Sequence, residues 1–221
     1  IEAGGGQICL GSSATHITLS PDATVEVHQR FAPRITADAC ICATPPPALT
    51  GLLPENGFTR LKQTLSCFSP SAILSVNFWF DRQVIQAGYL GLLDATMDWI
   101  FNRNVLLDEG TSIGQVTMVA SAANHLAGVK EDELVNRALQ DLRAAAPITE
   151  SATLLHRRVL REPRATFLLQ PGIVAPSWQT EHPGLFLAGD WVDTGLPATI
   201  ESAVISGNQA ANQALSYLRH N

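Results

Sequence analysis

The sequence is short of charge, of metal chemistry and of long apolar runs. Only 15% of its 221 residues are Asp, Glu, Lys or Arg, against about 25% in an average soluble domain. Part of the surface is therefore expected to meet another protein segment or an apolar ligand. A net charge of −6 excludes the basic footprint that nucleic acid requires. Cys9, Cys40, Cys42 and Cys67 form no Cys-x-x-Cys and have no histidine at ligand spacing, so no metal site is read. Buried, reduced thiols in a cytoplasmic protein are the expectation. Apolar runs such as Ala72-Ile73-Leu74 and Leu185-Phe186-Leu187-Ala188 fall far short of the ~20 residues of a membrane span, and no secretory signal pattern is visible. The chain also lacks Gly-x-Gly-x-x-Gly: Gly4-Gly5-Gly6 has neither a strand before it nor a helix after it, so no pyrophosphate-binding Rossmann start is read.

What is present is a large apolar fraction, 46%, enough for a substantial core. Residues 7–19 and 24–44 read as short strands, with a turn at Ser20-Pro21-Asp22 and period-two alternation over Val25-Glu26-Val27-His28. Ala39 to Ala43 is a short apolar run stopped by Thr44-Pro45-Pro46-Pro47. The three prolines predict an extended loop, either one that presents backbone to a ligand or a plain connector. Alternation from Ala72 to Phe80 predicts a half-buried strand, turned at Asp81-Arg82. Further strands are predicted at 88–93, 98–102, 113–120 and 153–161. Short connections among the earlier ones favour an antiparallel sheet. Leu134, Val135, Ala138, Leu139 and Leu142 mark a helix over 131–145. A buried strand over 184–188 and a helix from about Ala198 to Leu218 complete the outline.

The segment richest in chemistry joins those last two elements. Leu185-Phe186-Leu187-Ala188-Gly189-Asp190-Trp191 runs on to Thr194-Gly195-Leu196-Pro197-Ala198-Thr199-Ile200-Glu201-Ser202-Ala203. Gly189 permits close backbone approach, and the Asp190 carboxylate can accept hydroxyl hydrogen bonds. The helix start offers free N–H groups and a positive dipole end. A ligand with hydroxyls and an electron-rich ring edge would suit both, although a plain turn followed by ordinary packing would leave the same residues. Ala203, Gly207 and Ala211 recur every four residues and would allow close approach of another backbone.

These residues closely resemble the carboxyl-terminal flavin motif of the squalene-associated FAD-dependent desaturases. This group belongs to the FAD-dependent amine oxidase superfamily, and its characterised activity is hydroxysqualene dehydroxylation. Gly195-Leu196-Pro197-Ala198-Thr199-Ile200-Glu201 is the specific part of the likeness. Arg161-Glu162-Pro163-Arg164-Ala165-Thr166-Phe167, Val76-Asn77-Phe78-Trp79-Phe80-Asp81-Arg82 and Trp99-Ile100-Phe101-Asn102-Arg103 resemble other family segments in the right order. The resemblance implies that Asp190 binds the ribityl chain of FAD. It also implies that Gly189, Gly195, Pro197, Ala198, Thr199 and Ile200 surround the flavin, with Thr199 and Ile200 N–H groups at its pyrimidine edge. Ala14 matches a position whose backbone touches adenine, and Thr44 and Pro45 a cofactor-side loop. Ala175 stands where the family usually has Arg.

The resemblance further implies an α/β (α+β) fold. An incomplete FAD/NAD(P)-binding domain of the amine-oxidase type would comprise residues 1–50 and 176–221, and an antiparallel-sheet substrate domain residues 51–175. Because the glycine motif is missing, the chain is expected to be the carboxyl-terminal portion of a longer flavoenzyme, or a piece that pairs with a separate Rossmann half. The expected reaction is reductive removal of the hydroxyl of hydroxysqualene, giving squalene for hopanoid synthesis. Phytoene or carotenoid desaturation, amine oxidation and a non-catalytic docking role are the alternatives. Phe78, Phe80, Trp99 and Phe101 are candidates to line a tunnel for the isoprenoid, or else core residues. His125, His156 and His182 are isolated, and no catalytic acid is named. A cytoplasmic location is expected, with contact at the inner membrane surface because the substrate is a lipid.

Overall fold

The computed structural model describes residues 1–20, 24–108 and 110–220. Pro21 and Asp22 of the expected turn lie outside the described residues. Two compact units are formed, one from Ile1–Ser69 with Leu169–Asn221 and one from Pro70–Leu168. Residues 51–69 and 169–175 thus group with the first unit.

The first unit opens with an antiparallel three-stranded sheet, β1 (Ala14–Leu19), β2 (Val25–Gln29) and β3 (Ala32–Ala37). Residues 7–13, expected to be extended strand, carry no regular strand. Their apolar side chains, Ile8 and Leu10, are exposed, so no core face rewards alternation there. β4 (Cys40–Cys42) follows, and then α1 (Pro46–Leu52) and α2 (Thr59–Leu65). The proline run that predicted an extended loop in fact starts α1. Pro46 and Pro47 take its first positions, where the absent N–H would have had no partner and the fixed φ already suits a helix. Of the four cysteines, Cys42 is buried and Cys40 half-buried, but Cys9 and Cys67 are exposed, against the expectation of four buried thiols. A hydrogen bond with Cys40, and then burial, pushes the Cys42 thiol far above its ordinary range.

The second unit is built on a five-stranded sheet with helices in its connections. β5 (Pro70–Phe80), β6 (Tyr89–Gly91), β7 (Trp99–Asn102), β8 (Gly114–Ala120) and β9 (Leu154–Phe167) lie in the order β6-β7-β8-β5-β9, antiparallel throughout. α3 (Arg103–Leu106) follows β7, and α4 (Glu131–Ala145) lies between β8 and β9. Alternation along β5 puts Leu74, Val76, Phe78 and Phe80 on one face. There they join Ile100, Val116 and Met118 of the neighbouring strands and Leu134, Val135, Ala138 and Leu142 of α4. Glu131, Asp132 and Glu133 open α4, where negative charge suits the positive end of the helix dipole. Asp132 also takes Arg157 from β9 at 2.6 Å. The turn after β5 passes so close to the start of β8 at Gly114 that a Cβ there would lie 2.1 Å from the Arg82 carbonyl oxygen.

β9 continues to Phe167, past the expected end at 161. Pro163 interrupts neither the strand nor the sheet, because β9 is an edge strand and its register with β5 shifts between Ser71 and Ile73. Within the same motif Arg161 has an architectural role. Its guanidinium donates to the carbonyls of Leu126 and Ala127 at 3.1 and 3.3 Å and of Val129 at 2.6 Å, fastening the turn that leads to α4.

The chain then returns to the first unit through β10 (Leu185–Leu187) and α5 (Ile200–His220). Among the described residues no helix is long and apolar enough to cross a membrane.

Candidate functional site

β4 and β10 pair in parallel, Leu185 opposite Cys40 and Leu187 opposite Cys42. The ladder extends at both ends, through Cys40 N–H to the Gly184 carbonyl at 2.8 Å and Ala188 N–H to the Cys42 carbonyl at 3.0 Å. Parallel strands finish at the same edge, so the loops that follow them, Ala43-Thr44-Pro45 and Gly189-Asp190, leave side by side. The carboxyl edge of a parallel sheet is the usual place for a ligand crevice in an α/β fold.

At that edge the backbone is held open by design of the sequence. Gly189 has φ +147°, and a Cβ on it would lie 2.4 Å from Trp191 Nε1. Trp191 is buried, edge-on to Phe68 with centroids 6.3 Å apart. Both backbone groups of Gly189 are tied to the buried Ser206 of α5: its N–H donates to Ser206 Oγ at 2.8 Å, and its carbonyl accepts from that hydroxyl at 2.9 Å. Four residues earlier on the helix, buried Ser202 meets Thr194 Oγ1 at 2.6 Å. The loop between them turns at Gly195, with φ +74°, where Gly195 N–H donates to Asp193 Oδ1 at 3.2 Å. Asp193 N–H in turn reaches the Pro176 carbonyl at 2.9 Å. Asp190 is half-buried directly after Gly189.

The helix begins at Ile200, two residues after the expected start at Ala198. Thr199 explains the delay by acting as the cap: its Oγ1 accepts from Ser202 N–H at 3.2 Å and its carbonyl from Ala203 N–H at 3.0 Å. Ile200 and Glu201 N–H groups, at the positive end of a 21-residue helix, remain for an electron-rich group. On the other loop, Thr44 Oγ1 is buried without a hydrogen-bond partner. A buried hydroxyl left unpaired costs about 1–3 kcal/mol, so a polar ligand group beside Thr44 would relieve a real deficit. A pinned glycine, an acid next to it, the first N–H groups of a helix and an orphan hydroxyl fit a flavin with a hydroxylated side chain.

The structure thus brings Thr44, Pro45, Gly189 and Asp190 to one sheet edge, and joins them through Ser202 and Ser206 to the loop carrying Gly195, Pro197, Ala198, Thr199 and Ile200. Ala14 lies elsewhere in the unit, exposed at the first position of β1. The four aromatic candidates divide. Phe78 and Phe80 are sealed in the second unit's core, 0% and 1% exposed, whereas Trp99 and Phe101 stack on the opposite face of that sheet with centroids 6.2 Å apart. His125 and His156 are exposed. Burial lowers the His182 pKa, in keeping with its Nδ1 accepting from Gly184 N–H at 3.2 Å. Ala175 lines an open pocket of about 400 Å³ with Arg60, Thr64, Ser177 and Glu181.

Ser206 and Trp191 were not singled out in the sequence, yet they hold Gly189. A signal existed: Ser202, Ser206, Ala210 and Ala214 follow at four-residue steps and form the buried face of α5. The neighbouring column expected to allow close approach, Ala203, Gly207 and Ala211, is only half-buried or exposed, and a Cβ on Gly207 would meet nothing within 4 Å.

Comparison with known proteins shows the family and the fold. A family model described as flavin containing amine oxidoreductase matches residues 1–215. Hydroxysqualene dehydroxylase of Zymomonas mobilis subsp. mobilis is 36% identical over 148 residues, covering 66% of this chain and 33% of the relative. That of Sinorhizobium fredii is 34% identical over 181 residues, covering 81% and 39%. The chain therefore spans between a third and two fifths of the length of these relatives. Among solved structures, a triple mutant of putrescine oxidase superposes with a TM-score of 0.78 at 14% identity, covering 97% of this chain and 50% of that one, which establishes a shared fold.

Proposed function

Because the chain belongs to the flavin containing amine oxidoreductase family, we propose that it supplies the carboxyl-terminal part of an FAD-dependent enzyme that removes the hydroxyl of hydroxysqualene to give squalene. The observation that carries the reading is Gly189, locked by Ser206 and Trp191 so that the strand end, Asp190 and the start of α5 form one polar, glycine-lined edge. The identities of 36% and 34% to hydroxysqualene dehydroxylases support the choice of substrate.

When bound, reduced FAD supplies the hydride. The chain's own residues do the rest. Asp190 accepts hydrogen bonds from ribityl hydroxyls, and Thr44 gains the partner it lacks. Ile200 and Glu201 N–H groups, with the helix dipole behind them, would stabilise negative charge on the flavin. Trp191 and Val192, both buried, keep water from beneath the loop.

The partner of this chain is the Rossmann half that holds the pyrophosphate. Two features support that part of the reading. Among the described residues β4 and β10 form a parallel sheet of only two strands, although parallel sheets are ordinarily larger and covered on both faces. In addition, α5 exposes Ile200, Val204, Leu215 and Leu218. The test is to purify the chain alone and together with an amino-terminal half, record visible spectra, and supply hydroxysqualene, phytoene and amines under reducing and oxidising conditions. Flavin bands and squalene formation only in the paired sample are expected. Association of the halves without flavin would sink the cofactor site, and turnover of phytoene or an amine instead would sink the substrate.

A further inference from the structure

The face of the second unit's sheet turned away from α4 carries an arrangement that the flavin site does not use. Strand register sets Tyr89, Phe101, Thr117, Asn77 and Arg158 side by side in one row across all five strands. With adjacent strands ~4.8 Å apart, the row is about 19 Å long.

The row is graded from apolar to polar. At one end Tyr89 and Phe101 flank Trp99, with ring centroids 6.4 Å and 6.2 Å from it. In the middle Thr117 Oγ1 donates to Asn77 Oδ1 at 2.7 Å. At the other end Arg158 is exposed and joins no ion pair among the described residues. Asparagine is disfavoured in strands, yet Asn77 sits inside the 11-residue β5.

Thr117 and Asn77 satisfy each other only in part. After giving its proton to Asn77, the Thr117 oxygen keeps lone pairs. Asn77 spends one N–H on the Arg158 carbonyl at 3.4 Å and retains the other. One acceptor and one donor therefore stand together beside an aromatic floor, which is the complement of a single alcohol on a long hydrocarbon. Building on the dehydroxylase reading above, we infer that Asn77 and Thr117 recognise the hydroxyl of the isoprenoid alcohol while Tyr89, Trp99 and Phe101 carry its chain. The pair sets the preference for the alcohol over the hydrocarbon product. Squalene laid on the same row covers both polar groups and offers them nothing, and sites built to hydrogen-bond a hydroxyl discriminate strongly for that reason.

The experiment measures the affinities of the complete flavin-loaded protein for hydroxysqualene and for squalene, with Thr117→Val, Asn77→Leu and Thr117→Ser beside the wild type. Thr117→Val and Asn77→Leu are each expected to cut the alcohol preference by about tenfold or more with squalene affinity unchanged, while Thr117→Ser retains it. Flavin absorbance and the melting temperature report folding; if Asn77→Leu fails to load flavin, the two Thr117 variants decide alone. An unchanged preference, or an equal loss for both lipids, overturns the inference. A wild type that prefers the alcohol but does not convert it upholds the recognition pair and removes the proposed reaction. A wild type with no such preference overturns the pair even if squalene is formed.

Discussion

The two long helices, α4 and α5, face opposite situations. α4 buries Leu134, Val135, Ala138 and Leu142 against a five-stranded sheet and leaves no large apolar side chain exposed. α5 buries a column of small residues, Ser202, Ser206, Ala210 and Ala214, against two parallel strands, and exposes Ile200, Val204, Leu215 and Leu218. Bulk is on the inside of one helix and on the outside of the other. A helix that hides its large side chains has met its partner, and one that hides serine and alanine has met only a thin one. The second unit closes its own core, whereas the β4, β10 and α5 layer leaves large apolar side chains exposed.

The sharpest way to break that contrast is to attack both helices in the same manner. Leu142→Ala empties a fully buried site and is expected to cost about 2–5 kcal/mol in chemical denaturation. Leu215→Glu, at a residue 53% exposed, is expected to change the stability of the chain by no more than about 0.5 kcal/mol. The same charge should abolish association with the amino-terminal half in a co-purification assay. If Leu215→Glu destabilises the lone chain as much as Leu142→Ala, the stripe is internal core and the contrast fails.

The next effect concerns the loop that the thin layer supports. Gly189→Ala places a methyl group against Trp191 and forces a non-glycine residue into a left-handed region. The backbone alone costs about 1–3 kcal/mol. Flavin retention in the paired protein should be lost with little change at the second unit, read as two separate unfolding transitions. Ser206→Ala removes the hydroxyl that serves Gly189 twice and should cost about 1–3 kcal/mol with flavin loosened rather than lost. A Ser206→Ala protein as stable as the wild type would show that Trp191 alone holds the turn.

The same contrast explains what could be read without the structure. β5, β7 and β8 were legible because one face of each is buried, so β5 alternates cleanly, and α4 shows helical spacing. The proposed cofactor edge was readable in outline, since glycine before aspartate ahead of a helix is a local signature, but the Thr199 cap that sets the helix start at Ile200 was not read. Features that depend on what lies across space were not. Pro46 and Pro47 read as part of an extended loop because nothing local marks them as first-turn residues. Ser206 gave no sign that its hydroxyl reaches back 17 residues to Gly189. The division of the four aromatics between core and open face follows from register, which places Trp99 and Phe101 opposite Val119 and Thr117 and off the face shared by Phe78 and Phe80.

The smallest expected effect tests whether the second unit is fastened by its own turns. Asp81 accepts from Arg82 Nε and Nη2 at 3.1 and 3.0 Å and from Thr153 N–H at 3.0 Å, joining the end of β5 to the start of β9. The Arg82 side chain first, and then the Thr153 backbone, lowers the Asp81 pKa from 3.8 to about 2. An acid whose folded pKa is depressed stabilises the fold above its unfolded value, and that contribution fades as the pH falls through the folded one. The second unit should accordingly lose stability between about pH 4 and pH 2, with Asp81 contributing part of the slope. Asp81→Asn keeps the shape and removes the titration, so its stability profile should be flatter across that window and its melting temperature slightly lower near pH 7. An unaltered slope would mean that the exposed pair is screened by solvent, and that the backbone pairing of β5 with β9 fastens the turn without it.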